Sequence, residues 1–355
     1  MTSILSNNYF VHFSNSSYLK FEAFLEDFKP STCFILVDEN THKYCLDRFI
    51  NNLSKTYNFE IIEIKSGEAF KNLETCNLLW KKLTYLGADR KSLLVNLGGG
   101  VITDMGGFTA STFKRGISFI NIPTTLLSMV DASVGGKTGV DLGVLKNQIG
   151  LFSNPKMVLI DTDYLKTLLQ RELLSGLAEI IKYGLTYDIK LWNTIKTYKI
   201  VTINNITPLI YRSIVIKNEV ITQDPKENGL RKILNFGHTL GHAVESYFLE
   251  SEDKESLTHG EAIAVGMIME LYLSHKQFNF PINLVEEVKI KIQSLFGKVV
   301  INTSEFGEII DLLIHDKKNT NGKVNFVLLS SFEHCELNCK VENALLIEAF
   351  NYYMA

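Results

Sequence analysis

Short apolar runs, separated by polar turns and amphipathic stretches, dominate the first half of the chain. Leucines at helical spacing run through residues 72–86, where Leu73, Leu79, Leu83 and Leu86 contribute apolar positions to a predicted helix. Nearly continuous apolar runs predict strands at residues 33–37, 59–64, 92–97, 117–122 and 157–161. Strands that alternate with helices predict a parallel sheet covered on both faces.

Helical periodicity dominates from Arg171 to the end of the chain. Only residues 324–329 resemble a strand in this half. The apolar stripes at helical spacing include Ile210, Ile214 and Ile221, and further on Ile263, Met267 and Leu271. The predicted fold class is therefore an α/β domain over residues 1–163, followed by a mostly α-helical domain over residues 164–355.

Composition narrows the class of protein. The chain has 355 residues, of which 46% are hydrophobic and 21% charged, as expected for a globular protein of two domains. Its 36 basic and 39 acidic residues give a net charge of −3, which disfavours bulk nucleic-acid binding but allows a local basic pocket. No apolar run of about 18 residues and no signal peptide is found, so we expect a cytoplasmic protein without a membrane partner.

The cysteines suggest neither a disulfide framework nor a metal site. There are five, an odd number at irregular spacing, and we expect reduced thiols. His334, Cys335 and Cys339 lie close in sequence, but they lack the spacing and the second half of a structural zinc site.

A glycine-rich segment at residues 98–107 follows the predicted strand at 92–97 and opens a helix. Such a turn lets a phosphate approach backbone N–H groups at a helix N-terminus. The spacing matches neither the usual dinucleotide fingerprint nor a Walker loop. The alternative is a tight turn that needs glycine only for its geometry.

Two polar stretches contain candidate anion-binding groups. Residues 131–138, followed by Lys146 and Asn147, predict a glycine-containing loop that could hold an anion or simply lie in solvent. Farther along, Lys217, Asp224, Glu227 and Arg231 could bind phosphate or carboxylate, or belong to a solvated surface segment.

Histidines and one glutamate form the most specific pattern. His238 and His242 are four residues apart, and Thr258 with Glu261 predicts a capping box that places His259 in the first turn of another helix. Glu179 interrupts an apolar helical run and needs a partner or a metal. Glu179, one of His238 and His242, and His259 could form a catalytic zinc site. The alternative is an ion pair of Glu179 with Lys182 and unrelated histidines.

Taken together, these segments resemble the 3-dehydroquinate synthase family of the sugar phosphate cyclases. The similarity extends in order from about Asp38 to Lys318, and its motifs lie at residues 98–104, 123–126, 130–137, 146–147, 176–182 and 234–239. The resemblance implies a Rossmann-like N-terminal domain and a helical C-terminal domain.

The resemblance also implies cofactors and their residues. Zinc or cobalt would be held by Glu179, His238 and His259. NAD would lie against Asp38, Asn40, Glu68, Lys71, Gly99, Gly100, Val101, Asp104, Thr124, Thr125, Lys137, Lys146 and Thr167.

Substrate binding and catalysis are implied for a third group of residues. Substrate phosphate and carboxylate would meet Lys137, Asn147, Lys217, Arg231, Asn235, His242, Lys317 and Lys318. Asp131, Lys182 and Glu227 match positions at the substrate or behind the groups that bind it. Arg115 matches a residue that reaches a neighbouring subunit, which implies a homodimer.

The implied activity is that of a carbon–oxygen lyase. The family converts 3-deoxy-D-arabino-heptulosonate 7-phosphate to 3-dehydroquinate and phosphate in aromatic amino-acid biosynthesis. The alternatives are another sugar phosphate cyclase, such as an amino-dehydroquinate synthase, and a metal-dependent NAD oxidoreductase similar to glycerol dehydrogenase.

Overall fold

A computed structural model describes residues 2–14, 16–143, 145–313 and 324–355. The chain forms two compact units. The first contains the described residues of Met1–Leu169 and Ile210–Asn218, and the second contains those of Gln170–Leu209 and Glu219–Ala355. Among the helices of these ranges, none combines the length and the apolar character needed to cross a membrane.

The first unit is built on a parallel sheet. The strands of the first unit are β1 (Ile4–Ser6), β2 (Tyr9–Phe13), β3 (Cys33–Asp38), β4 (Phe59–Ile64), β5 (Leu93–Gly98), β6 (Ser118–Pro123), β7 (Lys137–Leu142), β8 (Leu145–Phe152) and β9 (Met157–Ile160). Seven of them form one sheet in the order β1-β2-β9-β6-β5-β3-β4. Only β1 and β2 pair antiparallel in it. The five strands expected from apolar runs are β3, β4, β5, β6 and β9.

The helices of the first unit cover this sheet. They are α1 (Ser16–Phe28), α2 (Glu39–Thr41), α3 (Asp47–Asn51), α4 (Leu73–Tyr85) and α5 (Gly100–Thr112). Short 3₁₀ or π turns lie at His42–Leu46, Glu68–Phe70, Phe113–Arg115, Ser128–Ala132 and Thr162–Thr167. Helix α5 lies so close to β5 that a Cβ at Gly106 would be 2.1 Å from the Asn96 Oδ1 atom. Glycine at that position therefore allows the contact between helix and strand.

Two features of the first unit differ from the expectation. Strands β7 and β8 form a separate antiparallel pair where the polar segment predicted a loop. Glycines and lysines weaken the strand pattern there, because Gly139 and Gly150 face each other across the pair with no side chain to pack. Strands β1 and β2 were not expected either, since they are too short for a clear alternation.

The second unit is mainly helical. Its helices are α6 (Gln170–Thr186), α7 (Ile189–Ile195), α8 (Ile203–Gln223, of which residues 210–218 belong to the first unit), α9 (His238–Glu250), α10 (His259–Phe278), α11 (Ile282–Phe296), α12 (Phe306–Leu312) and α13 (Asn343–Met354). Short 3₁₀ helices lie at Leu230–Asn235 and Thr303–Glu305. Helix α10 is central, and it packs against α6, α9, α11 and α13. Its stripe of Ile263, Met267 and Leu271 is fully buried.

Two strands, rather than the single one expected, lie near the end of the chain. They are β10 (Phe326–Ser331) and β11 (His334–Cys339), and they pair antiparallel. Cys335 and Cys339 lie on β11, and burial raises the pKa of the Cys335 thiol to about 12. A thiol so difficult to ionise is a poor metal ligand. The folds of the first and the second unit confirm the predicted fold class, which is an α/β N-terminal part and a mostly helical C-terminal part.

Candidate active site

A cluster of three histidines and one glutamate lies inside the second unit. Glu179 is fully buried on α6, His238 opens α9 with His242 one turn later, and His259 opens α10. The ring centroids of His238 and His242 lie 5.3 Å apart, and that of His259 lies 5.5 and 5.8 Å from them. The structure therefore brings all four side chains together.

Local sequence explains where the histidines begin their helices. Gly237 precedes α9 with a φ of +78°, a left-handed conformation that glycine adopts without strain. Thr258 and Glu261 form the expected capping box, in which each side chain binds the other residue's backbone N–H. That cap places His259 at the first position of α10, as the sequence predicts.

The Nδ1 atoms of His238 and His259 each have a hydrogen-bonding partner. The Nδ1 atom of His238 lies 3.1 Å from the carbonyl oxygen of Phe236, which can only accept a hydrogen bond. The Nδ1 atom of His259 lies 3.1 Å from the Glu245 carboxylate. The Nε2 atoms of both rings therefore face inward, 3.4 and 3.6 Å from Glu179 Oε1. Carboxylate or carbonyl contacts of this kind orient imidazoles toward metals.

The donor set fits one divalent metal ion. Ligand atoms about 2.0–2.2 Å from a tetrahedral zinc lie roughly 3.4 Å from one another, close to the separations from Glu179 Oε1. That oxygen is buried, and none of the described residues donates a hydrogen bond to it. The ligating atoms of His238, His242 and His259 also lie within 4.8 Å of one another. Glu179, His238 and His259 stay the predicted ligands, and His242 is a fourth donor beside them.

Charges in the cluster shift its pKa values strongly. Burial alone would raise the pKa of Glu179, but the Lys182 ammonium and His238 hold it well below its usual range. Burial also opposes protonation of His259, yet the carboxylates of Glu245 and Glu179 raise its pKa to about 9. Glu179 and Lys182 form the ion pair that the alternative interpretation required. The histidines are nevertheless part of the same cluster.

A second group of predicted residues lies around the 3₁₀ helix Leu230–Asn235. Arg231 is only 2% exposed, and its Nη1 donates to the carbonyl oxygen of Pro225 over 2.8 Å. The Asn235 Nδ2 atom donates to Glu227 Oε1 over 2.6 Å. Desolvation opposes ionisation of Asp224, but backbone N–H donors, including that of Arg231, lower its pKa. A solvated surface segment is therefore the wrong interpretation for Arg231.

Four of the predicted NAD residues lie at the carboxyl edge of the sheet of the first unit. Asp38 ends β3, Gly99 and Gly100 follow β5, and Thr124 follows β6. The chain passes from β3 to β4 on one side of β3 and then to β5 on the other side. Such a reversal creates the crevice where open α/β sheets bind dinucleotides. A Cβ at Gly99 would lie 2.9 Å from the Thr125 side chain, whereas one at Gly100 would have ordinary room.

Charged side chains form a network in the same unit. Lys71 is buried, and its ammonium donates to Asp104 and to Asn147, each over 2.7 Å. Lys146 donates to Glu68 over 2.8 Å. Burial lowers the pKa of Lys71, but the carboxylates around it raise it overall. Burial raises the pKa of Asp104 despite the neighbouring Lys71.

The remaining predicted residues take more separate positions. In the first unit, Lys217 is buried and donates to Asp131 Oδ1 over 2.8 Å. Arg115 is exposed in the turn after α5, at a φ of +72°. Lys137 begins β7 and Val101 lies in the first turn of α5, while Asn40 and Thr167 are exposed. Lys317 and Lys318 lie outside the described residues.

Sequence reasoning missed three buried carboxylates that lie next to the candidate site residues. Glu245 contacts His259, and Glu270 on α10 is fully buried. Asp141 on β7 accepts a hydrogen bond from the Asn147 backbone, and burial raises its pKa to about 6. An acidic residue within an apolar run was the signal that singled out Glu179. The same signal marks Glu270, which lies between Met269 and Leu271.

The chain is similar to known proteins in sequence and in structure. Family models described as 3-dehydroquinate synthase N-terminal and C-terminal match residues 61–175 and 176–319. A 3-dehydroquinate synthase of Parabacteroides distasonis is 40% identical over 332 residues, which cover 93% of either chain.

Solved structures share the fold at lower identity. A 2-deoxy-scyllo-inosose synthase in complex with carbaglucose-6-phosphate, NAD⁺ and Co²⁺ superposes with a TM-score of 0.86 at 24% identity, over 99% of this chain and 100% of that one. A 2-epi-5-epi-valiolone synthase of Streptomyces hygroscopicus subsp. jinggangensis, with NAD⁺ and Zn²⁺ bound, gives 0.87 at 24% identity, over 100% and 99%. At this identity the likeness concerns the fold alone.

Proposed function

The chain belongs to the 3-dehydroquinate synthase family, and we propose that it converts 3-deoxy-D-arabino-heptulosonate 7-phosphate to 3-dehydroquinate and phosphate. The reaction belongs to the shikimate pathway. The observation that carries the proposal is the approach of two imidazole Nε2 atoms to one buried carboxylate oxygen, at 3.4 and 3.6 Å. A phosphate-eliminating cyclase of this family needs such a site to bind substrate oxygen atoms.

Glu179, His238 and His259 would hold the divalent metal, zinc or cobalt. When bound, the ion supplies a Lewis acid that lowers the cost of deprotonating a substrate hydroxyl. Glu179 contributes a permanent negative charge, since its pKa lies well below the usual range. His238 would contribute the lone pair of Nε2, because its Nδ1–H donates a hydrogen bond to the Phe236 carbonyl oxygen. Two structural neighbours have NAD⁺ bound together with Co²⁺ or Zn²⁺, which agrees with this choice of cofactors.

NAD would occupy the carboxyl edge of the first unit's sheet. When bound, NAD would supply a reversible hydride acceptor, which allows phosphate elimination with no net oxidation. Gly99 and Gly100 would bring backbone N–H groups at the start of α5 close to the pyrophosphate. Asp38, at the end of β3, would accept hydrogen bonds from a ribose.

Cationic side chains would bind anionic groups of the substrate. In the first unit these are the buried Lys217 and the half-buried Lys137, with Asn147 as a hydrogen-bonding group. In the second unit the buried Arg231 is such a cation, with Asn235 as a hydrogen-bonding group. Lys217 now pairs with Asp131, and Arg231 with a backbone carbonyl. These contacts keep the ammonium and guanidinium groups oriented before the substrate binds. Substrate anions would then replace the contacts or add to them.

Residues beside the predicted metal ligands would carry out proton transfer. His242 lies one helical turn from His238, with ring centroids 5.3 Å apart, and can hold or deliver a proton at a departing phosphate oxygen. Lys182 would keep Glu179 ionised through their buried ion pair. A homodimer completed by Arg115, and a cytoplasmic location, stay predictions.

Phosphate release from 3-deoxy-D-arabino-heptulosonate 7-phosphate tests this proposal. Purified protein with NAD is assayed before and after EDTA treatment and after Co²⁺ is added back, while absorbance at the NADH band is followed. We expect phosphate release that EDTA abolishes and Co²⁺ restores, without net NADH. No phosphate release by metal-loaded protein would contradict the proposal. The amino analogue of the substrate and simple polyols would then distinguish an amino-dehydroquinate synthase from a dehydrogenase.

A further inference from the structure

Glu270 is a fully buried carboxylate on α10, three helical turns after His259. Both of its oxygens accept hydrogen bonds from backbone N–H groups at the start of α9. The Oε2 atom accepts from Gly237 over 2.6 Å. The Oε1 atom accepts from Thr239 over 3.1 Å and from Leu240 over 3.2 Å. These three donors surround His238 in the sequence.

The donors are groups that the helix itself cannot satisfy. The first N–H groups of an α-helix have no partner within it, and leaving them buried and unbonded is costly. The first helical bond of this segment runs from the Gly241 N–H to the Gly237 carbonyl. Glu270 therefore supplies acceptors for the turn that contains His238. Its negative charge also suits the positive end of the α9 dipole.

The same two helices touch directly through their backbones. A Cβ at Gly266 of α10 would lie 2.0 Å from the Gly237 carbonyl oxygen, and one at Gly241 would lie 2.8 Å from the Ile263 side chain. Helix α10 also contacts α6 closely, because a Cβ at Gly260 would lie 2.2 Å from the Ser175 carbonyl oxygen. Small residues thus let the helices meet closely, and Glu270 adds polar bonds that fix how α9 begins against α10.

We propose that Glu270 is a positioning residue, which holds the first turn of α9 against α10 and so sets the positions of His238 and His242 relative to His259. The proposal rests on the metal site of the proposed function. It adds that the site is organised before the metal binds, by a carboxylate that touches neither metal nor substrate. Loss of groups whose hydrogen bonds orient metal ligands typically weakens metal affinity about 10- to 100-fold.

Glu270→Gln tests the proposal with Co²⁺ as the probe. Glutamine keeps the size of the side chain, but it has one acceptor oxygen, and its NH₂ group must face backbone donors. We expect Co²⁺ to bind about 10- to 100-fold more weakly, with an altered d–d absorption spectrum that reports ligand geometry. Unchanged affinity and an unchanged spectrum would overturn the proposal.

Glu305→Gln is the matched control in the same unit. Glu305 is buried, and its carboxylate accepts the Asn302 backbone N–H at the start of another helical segment. Both substitutions should lower the thermal midpoint. Only Glu270→Gln should change the Co²⁺ affinity and spectrum, and equal effects of the two variants would reduce Glu270 to a general stabilising role and overturn the proposal.

Two measurements on the unsubstituted protein complete the test. Hydrogen exchange of peptides spanning residues 236–241 should show protection before Co²⁺ is added, whether or not the variant folds. Protection that is absent, or that arises only with Co²⁺, would overturn the proposal. Failure of the unsubstituted protein to bind Co²⁺ would overturn the metal site and this proposal with it, whereas unchanged binding by Glu270→Gln overturns the positioning role alone.

Discussion

Replacing Lys182 by methionine removes the cation from the buried ion pair of the metal cluster. The Lys182 side chain is 1% exposed and that of Glu179 is fully buried, so neither group has bulk water as an alternative partner. Methionine preserves most of the packing of the aliphatic stem. The substitution therefore isolates the charge, and it leaves the Glu179 carboxylate without its nearest cation.

Removing one partner of a buried ion pair costs about 3–5 kcal/mol, because the other charge stays desolvated. For a unit of this size, each kcal/mol lowers the thermal midpoint by about 2–4 °C. We therefore expect metal-free Lys182→Met to unfold roughly 6–20 °C below the unsubstituted protein. Added Co²⁺ should raise the midpoint of the variant more than that of the unsubstituted protein, since the ion replaces the missing positive charge.

Differential scanning calorimetry with and without Co²⁺ measures both effects. Lys276→Met is the control, because Lys276 pairs with Glu348 at the surface of the same unit, where the two side chains are 40% and 50% exposed. Its midpoint should stay near that of the unsubstituted protein. A metal-free Lys182→Met midpoint equal to that of the control would refute the reasoning that the cluster depends on this buried charge.

Three further predictions concern the cluster, the anion-binding residues and the charge network of the first unit. His259→Ala should lose bound metal and phosphate-releasing activity while circular dichroism stays native, and full activity would contradict its assignment as a ligand. Arg231→Ala should raise KM for the sugar phosphate about tenfold or more, with metal content intact, and an unchanged KM would refute its anion-binding role. Asp141→Asn should stabilise the protein by on the order of 3 kcal/mol above about pH 7, and this gain should vanish by about pH 3, because burial raises the pKa of Asp141 from 3.8 to about 6 in the folded protein. Denaturation across that pH range checks the last of these, and a constant difference between the two proteins would contradict it.

Much of the fold follows from the hydrophobic pattern, because buried parallel strands require continuous apolar runs. All six residues of β5 are buried, and the segment was recognisable for that reason. The pair β7 and β8 escaped notice because polar residues and one glycine in each strand interrupt the apolar positions, and no residue of β8 is fully buried. Periodicity also reveals an apolar face on α8 without indicating what covers it, and residues 210–218 pack in the first unit.

The candidate site was predictable where a functional residue belongs to a recognisable local sequence pattern. A glutamate in an apolar run and a capping box placed Glu179 and His259 at helical positions, and the structure brings them together. Glu245 was missed because its role depends on its contact with the His259 ring. That contact joins two helices and leaves no pattern along the sequence. The role of Glu270 depends on backbone donors of another helix, which spacing along the chain cannot reveal.

The catalytic role of NAD is tested most directly by limiting the cofactor. Co²⁺-loaded protein, supplied with one NAD per active site and excess 3-deoxy-D-arabino-heptulosonate 7-phosphate, is followed for phosphate and for NADH in the same sample. The account predicts many phosphates released per NAD, with the cofactor recovered in its oxidised form. Phosphate release that stops at one equivalent of NAD, or NADH that accumulates in step with turnover, would contradict it.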